Sequence, residues 1–116
     1  MTDLAVPGHL SRSSREWLAH LLDEHDWTPS EWRLCVLAAE TFDRAQTARR
    51  TLNREGLTII SPRGEPKPHP CVIIARDSTA LYAKLVGQLG LDQQAEDEDE
   101  PVFGIADSLG RKRRLR

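Results

Sequence analysis

The chain has 116 residues, of which 39% are hydrophobic and 29% charged, with a formal net charge of −2. That length allows one domain with a modest core, and that balance excludes wholesale disorder. No window approaches about eighteen consecutive apolar residues, so no membrane span is expected, and the opening MTDLAVPGHLSRSS lacks the basic-then-apolar run of a signal peptide. A cytoplasmic location is the expectation.

The first helix is expected to start at Ser13-Ser14-Arg15-Glu16, where Ser13 and Glu16 have the spacing of a capping box. Trp17, Leu18, Leu21 and Leu22 then recur at helical spacing, and the helix is expected to run to about His25. Thr28-Pro29-Ser30-Glu31 supplies a stronger start for a second helix: an N-cap, a proline at the first helical position and the reciprocal acid. No proline or glycine follows until Gly56, which suits an αL cap. A helix of that length spans about 40 Å, against a radius of gyration of about 13 Å for a compact domain of this size. It is expected to protrude or to pack outside its own subunit. At about 100° per residue, Arg49 falls inside the arc that is apolar in the first half of this helix. Its inward face is therefore expected to stop being a core face about halfway along.

Four prolines (Pro62, Pro66, Pro68 and Pro70) crowd the connector that follows. Leu57-Thr58-Ile59-Ile60 reads as a short strand, Ser61-Pro62-Arg63-Gly64 as a turn, and Glu65 to His69 as extended chain. The connector is thus a Pro-rich β-hairpin or an extended arm. A third helix is expected from Pro70 to about Leu89, with Cys71, Ile74, Ala75, Leu81, Tyr82, Leu85 and Leu89 on one stripe, closed by Gly90. The fold class is therefore mainly all-α: a three-helix core with one long helix, this arm between helices two and three, and a disordered charged C-terminal tail. Residues 1–92 form the helical domain and residues 93–116 the flexible tail. Cys35 and Cys71, with no CxxC spacing, read as buried small hydrophobes.

The tail holds six acidic residues (Glu96, Asp97, Glu98, Asp99, Glu100 and Asp107) and five basic ones (Arg111, Lys112, Arg113, Arg114 and Arg116), leaving 11 basic and 12 acidic residues in 1–92. EDEDE reads as a solvated linker, and Pro101-Val102-Phe103-Gly104-Ile105 as a docking motif.

No GxGxxG, P-loop or GxSxG occurs. His9, His20, His25 and His69 are scattered; His20 and Glu24 share a helix face, but no third ligand lies at a metal-site spacing. Glu96–Glu100 lacks the glycine and spaced acids of an EF-hand loop. No catalytic residue, metal or cofactor is expected, and the chain is not read as an enzyme.

Basic residues cluster twice. Arg44, Arg49, Arg50 and Arg54 near the end of helix two either complement the helix macrodipole on a solvated face or contact phosphates. Arg111, Lys112, Arg113, Arg114 and Arg116 either solubilise the tail or neutralise phosphates without reading sequence.

Several features in order resemble the small subunit of phage terminases of the P27 type. Pro7-Gly8-His9-Leu10-Ser11 precedes a helix carrying Trp17. A long helix ends in Thr51-Leu52-Asn53-Arg54-Glu55-Gly56, and Gly56-Leu57-Thr58 leads to a Gly64-Glu65 turn. His69-Pro70 then opens a helix with Arg76-Asp77-Ser78, closed by Leu89-Gly90-Leu91. The resemblance covers about residues 7–92. It departs at His69-Pro70, where many relatives have Asn-Pro, and at Asp92-Gln93-Gln94, which lacks the usual Pro- and Arg-containing helix start. It implies a non-catalytic partner that forms a ring homo-oligomer, binds viral double-stranded DNA and delivers it to a large subunit carrying the ATPase and nuclease. Two alternatives stand beside it. One is a small helix-turn-helix regulator, with helices one and two separated by Asp26-Trp27. The other is an adaptor that contacts no nucleic acid.

Overall fold

A computed structural model describes residues 4–93 as three α-helices, α1 (Arg12–Glu24), α2 (Pro29–Glu55) and α3 (Pro70–Gln88), with two short strands, β1 (Thr58–Ile60) and β2 (Pro66–Pro68), between the second and third. A 3-10 turn at Leu91–Gln93 follows α3. This is the mainly α architecture with a hairpin arm expected from the sequence. The charged tail lies outside the described residues.

The start of α2 follows from its first four residues. The Glu31 N–H donates to the Thr28 hydroxyl at 3.1 Å, and the Thr28 N–H donates to the Glu31 carboxylate at 3.0 Å, so two donors that the first turn leaves unpaired are satisfied reciprocally. Pro29 occupies the first turn, where its missing N–H costs nothing. At the far end Gly56 has φ 91° and ψ 168°. The expected αL cap is not formed: the residue takes a positive-φ extended conformation, open essentially to glycine alone, and the chain leaves the helix straight into β1.

The start of α1 differs from expectation. Its N-cap is Ser11, whose hydroxyl accepts the Ser14 N–H at 3.2 Å, and no Ser13–Glu16 capping box forms. The cause lies 32 positions away. Asp43 on α2 accepts the Ser11 N–H at 2.8 Å, the Ser11 hydroxyl at 2.7 Å and the Ser14 hydroxyl at 2.7 Å. One carboxylate thus fixes the first turn of α1 to the middle of α2.

The core gathers Leu10, Leu18, Leu21, Trp27, Trp32, Cys35, Ala39 and Leu89. The indole N–H groups enter it satisfied: Trp27 donates to the Leu21 carbonyl at 3.0 Å and Trp32 to the Ala5 carbonyl at 2.9 Å. Cys35 is buried as expected, whereas Cys71 is only half-buried.

The two halves of α2 are packed differently. Its first half carries bulky residues against α1. Its second half carries a face of small residues: Ala45 (4% exposed) and Ala48 (3% exposed) continue the line of Ala38 and Thr41. The expectation that the core face stops halfway is therefore corrected. Small side chains let α3 lie close along α2, in the most extensive contact between elements. The helices run antiparallel, with Phe42 and Tyr82 rings 5.2 Å apart, the Arg49 guanidinium donating to the Thr79 hydroxyl at 3.3 Å, and His69 bonded to Glu55 at 2.8 Å. The body is elongated, 57 × 34 × 21 Å.

The stripe expected on α3 is only partly a core face. Leu85 and Leu89 are buried, and Ser78 with them, but Ile74 (41%) and Leu81 (39%) stay exposed. Ser78 and Leu85 point at α2, while Ile74 and Leu81 sit on the flank of that line.

Candidate nucleic-acid interface

The near neutrality of residues 1–92 conceals a separation of charge. Residues 4–43 carry three basic and seven acidic side chains, and residues 44–77 carry seven basic and three acidic. The first set forms α1 and the first half of α2. The second forms the rest of α2, the hairpin and the start of α3. Because α2 is about 40 Å long, the two sets occupy opposite ends of the molecule, one acidic and one basic.

Arg44, Arg49, Arg50 and Arg54 are all exposed at the basic end. They do not share one face. At about 100° per residue, Arg50 and Arg54 project within about 40° of each other, away from the Ala45–Ala48 face. Arg44 and Arg49 flank that face on opposite sides. Arg49 is drawn against α3, bonding the neutral oxygens of Gln46 and Thr79 at 3.4 and 3.3 Å. Arg44 lines an open groove of about 630 Å³ with His9, Glu40, Asp43, Thr47, Cys71 and Ile74. Arg54 pairs with Glu55 at 3.1 Å, and Arg50 reaches the Thr47 hydroxyl at 3.4 Å. Arg111, Lys112, Arg113, Arg114 and Arg116 lie outside the described residues.

Three further cations, Arg63, Lys67 and Arg76, stand at the same end, and Arg76 pairs with Asp77 at 3.2 Å. Sequence reading passed over them because they are spread through the connector rather than clustered. A charge count taken over residues 44–77 carries the signal.

Two carboxylates on α2 fix the elements packed against it, one at its middle and one at its basic end. Burial pushes the Asp43 carboxyl up, but the Ser11 N–H, the Ser11 and Ser14 hydroxyls and the Arg50 charge together hold it below the ordinary aspartate value. Glu55 is held below the glutamate range by its hydrogen bonds, first from His69 and then from Arg54. His69 is the junction of the connector. Its N–H donates to the Leu57 carbonyl at 2.8 Å, and its Nδ1 accepts the Cys71 N–H at 3.0 Å as the N-cap of α3. That acceptor role places the ring proton on Nε2, which donates to Glu55 Oε1 at 2.8 Å. His69 therefore caps α3 with a ring nitrogen, a task more often given to the side-chain oxygen of Asn, Asp, Ser or Thr.

His20 and Glu24 do meet, at 3.1 Å, as an exposed pair. Among the described residues no group of three His, Cys, Asp or Glu side chains is placed to hold a metal ion, and no helix is long and apolar enough to cross a membrane.

The described residues thus form a small three-helix body with a basic end and a two-stranded hairpin between its second and third helices. The family model for phage terminase, small subunit, matches residues 13–100, and the chain belongs to that family. The match is at the level of the family, and the P27-type assignment is an inference from the sequence. No curated protein and no solved structure matches the chain.

Proposed function

We propose that this chain is the non-catalytic small subunit of a DNA-packaging terminase, binding viral double-stranded DNA at its basic end and delivering it to the large subunit in the host cytoplasm. The single observation that carries the reading is the charge separation along α2 in a member of this family. Arg50 and Arg54, outward and adjacent, are suited to phosphates one after another along a backbone. Arg44 and Arg49 extend the contact to either side, and Arg111–Arg116 add a second one that reads no sequence. Assembly into a ring is supported by the exposed apolar side chains Leu37, Ile74 and Leu81 and by the opposed charge of the two ends, which favours head-to-tail contact.

The test is duplex-DNA affinity as a function of salt for full-length Arg50→Ala with Arg54→Ala. Each phosphate contact contributes about 0.9 to the slope of log affinity against log salt, so the double variant should flatten it by about two. An affinity and slope equal to those of the parent chain would remove these residues from the interface. Light scattering on the parent chain checks the ring: one high-order species supports it, and a monomer or dimer with or without DNA refutes it.

A further inference from the structure

The two outer edges of the hairpin are not equivalent. β1 and β2 pair antiparallel, with Thr58 opposite Pro68, Ile59 opposite Lys67 and Ile60 opposite Pro66. The His69 N–H donates to the Leu57 carbonyl and the Ser61 N–H to the Glu65 carbonyl, each at 2.8 Å. Backbone groups alternate sides along a strand, so residues 57, 59 and 61 face β2 and residues 58 and 60 face outward. On β2 the outward positions are Pro66 and Pro68, which have no N–H to offer. On β1 they are Thr58 and Ile60, with N–H and C=O turned to solvent. One edge is closed to a further strand and the other is open. Leu57 and Ile60 beside the open edge are each 66% exposed. An edge so placed, on a basic end, suits an extended segment that is both acidic and apolar.

The chain contains such a segment outside the structure: Glu96–Glu100 followed by Pro101-Val102-Phe103-Gly104-Ile105. We propose that β1 takes up this segment from a second copy of the chain as an added strand. Its apolar residues meet Leu57 and Ile60, and its acidic run meets Arg63, Lys67 and the basic end of α2.

Reach and charge together favour another copy as the donor. The segment leaves the body after Gln93, beside the last turn of α3, where Asp92 lies against Gly87. The 19 residues of α3 set this point about 28 Å from the hairpin base. An extended chain gains at most about 3.5 Å per residue, so residues 96–100 lie within about 10–25 Å of that root. In its own chain residues 102–105 meet β1 only when almost fully extended, at about 30–40 Å from the root, which leaves the acidic run between the root and the hairpin base, short of Arg63 and Lys67. A neighbour arranged with its acidic end against this basic end brings the run within range.

The test uses the full-length protein without DNA. Nitrogen-15-labelled and unlabelled chains are refolded together and treated with a carbodiimide, which joins carboxylates to amines without a spacer. Lys67 and Lys84 are the only lysines of residues 4–93. Lys84, on the half of α3 nearer the segment's root, is the internal reference. The expected result is Lys67 joined to Glu96–Glu100 in mixed heavy–light pairs. Ile60→Pro removes an outward N–H while leaving the hairpin's own ladder intact, and Phe103→Ala leaves the body untouched. Each should lower the Lys67 product about tenfold relative to Lys84. Absence of the Lys67 product, its restriction to chains of like isotope, or a yield that neither variant lowers overturns the proposal. Since no DNA is present, the outcome is independent of the nucleic-acid reading.

Discussion

Replacing His69 by alanine removes the ring at the junction of all three parts of the connector. His69 is 8% exposed, and its Nδ1 is the acceptor for the Cys71 N–H. Loss of a good N-cap costs about 1 kcal/mol. The uncovered N–H and the small void left by the ring bring the expected loss to about 1–2 kcal/mol. With an unfolding entropy of about 2.1 cal/mol/K per residue, a folded unit of this size loses about 5 °C in Tm for each kcal/mol, so His69→Ala should melt about 5–10 °C below the parent. His69→Asn supplies a capping oxygen at the same position while giving up Glu55, whose carboxylate is exposed to water. It should recover most of the loss. The assay is thermal unfolding followed by circular dichroism at neutral pH. An alanine variant melting within 1 °C of the parent, or an asparagine variant as unstable as the alanine one, would show that the ring is not the cap.

Asp43 makes stability acid-sensitive. Its folded pKa is depressed, so its contribution is fully present above the unfolded value near 3.8 and is lost as pH falls through the lower folded value. The parent should lose Tm from about pH 5 downward, Asp43→Asn should show a shallower decline, and the two curves should converge at low pH. Curves that stay parallel refute the linkage. Ala48→Leu inserts bulk where α2 and α3 lie close and should cost about 1–3 kcal/mol in urea unfolding; an unchanged midpoint would mean that the helices separate freely. Pro66→Gly with Pro68→Gly restores unfolded-chain freedom at two exposed positions and should cost about 1–2 kcal/mol. It also gives β2 two outward N–H groups, so concentration-dependent association, measured by light scattering, should rise.

The elements of this protein are written in short stretches of sequence. Thr28, Pro29 and Glu31 start α2, and Gly56 ends it. Gly64 turns the hairpin with φ 86°, while Pro66 and Pro68 keep β2 extended and Pro70 opens α3. Each of these acts through its own backbone angles or through a neighbour a few positions away, so reading in order recovers it. Only the tertiary structure decided what depends on partners far along the chain. Asp43 moved the cap of α1 from Ser13 to Ser11 because a carboxylate with three donors outweighs a local capping box. Ala45 and Ala48 became a core face because α3 covers them, and periodicity alone does not say which neighbour a stripe of small residues will meet. The same holds for Ile74 and Leu81, whose spacing resembles that of a buried stripe but whose place on α3 turns them to solvent. Arg44 and Arg49, neighbours in a sequence cluster, ended on opposite sides of α2. The charge separation lay in the sequence as a count, but it became two ends only because α2, at 27 residues, is long enough to hold them apart.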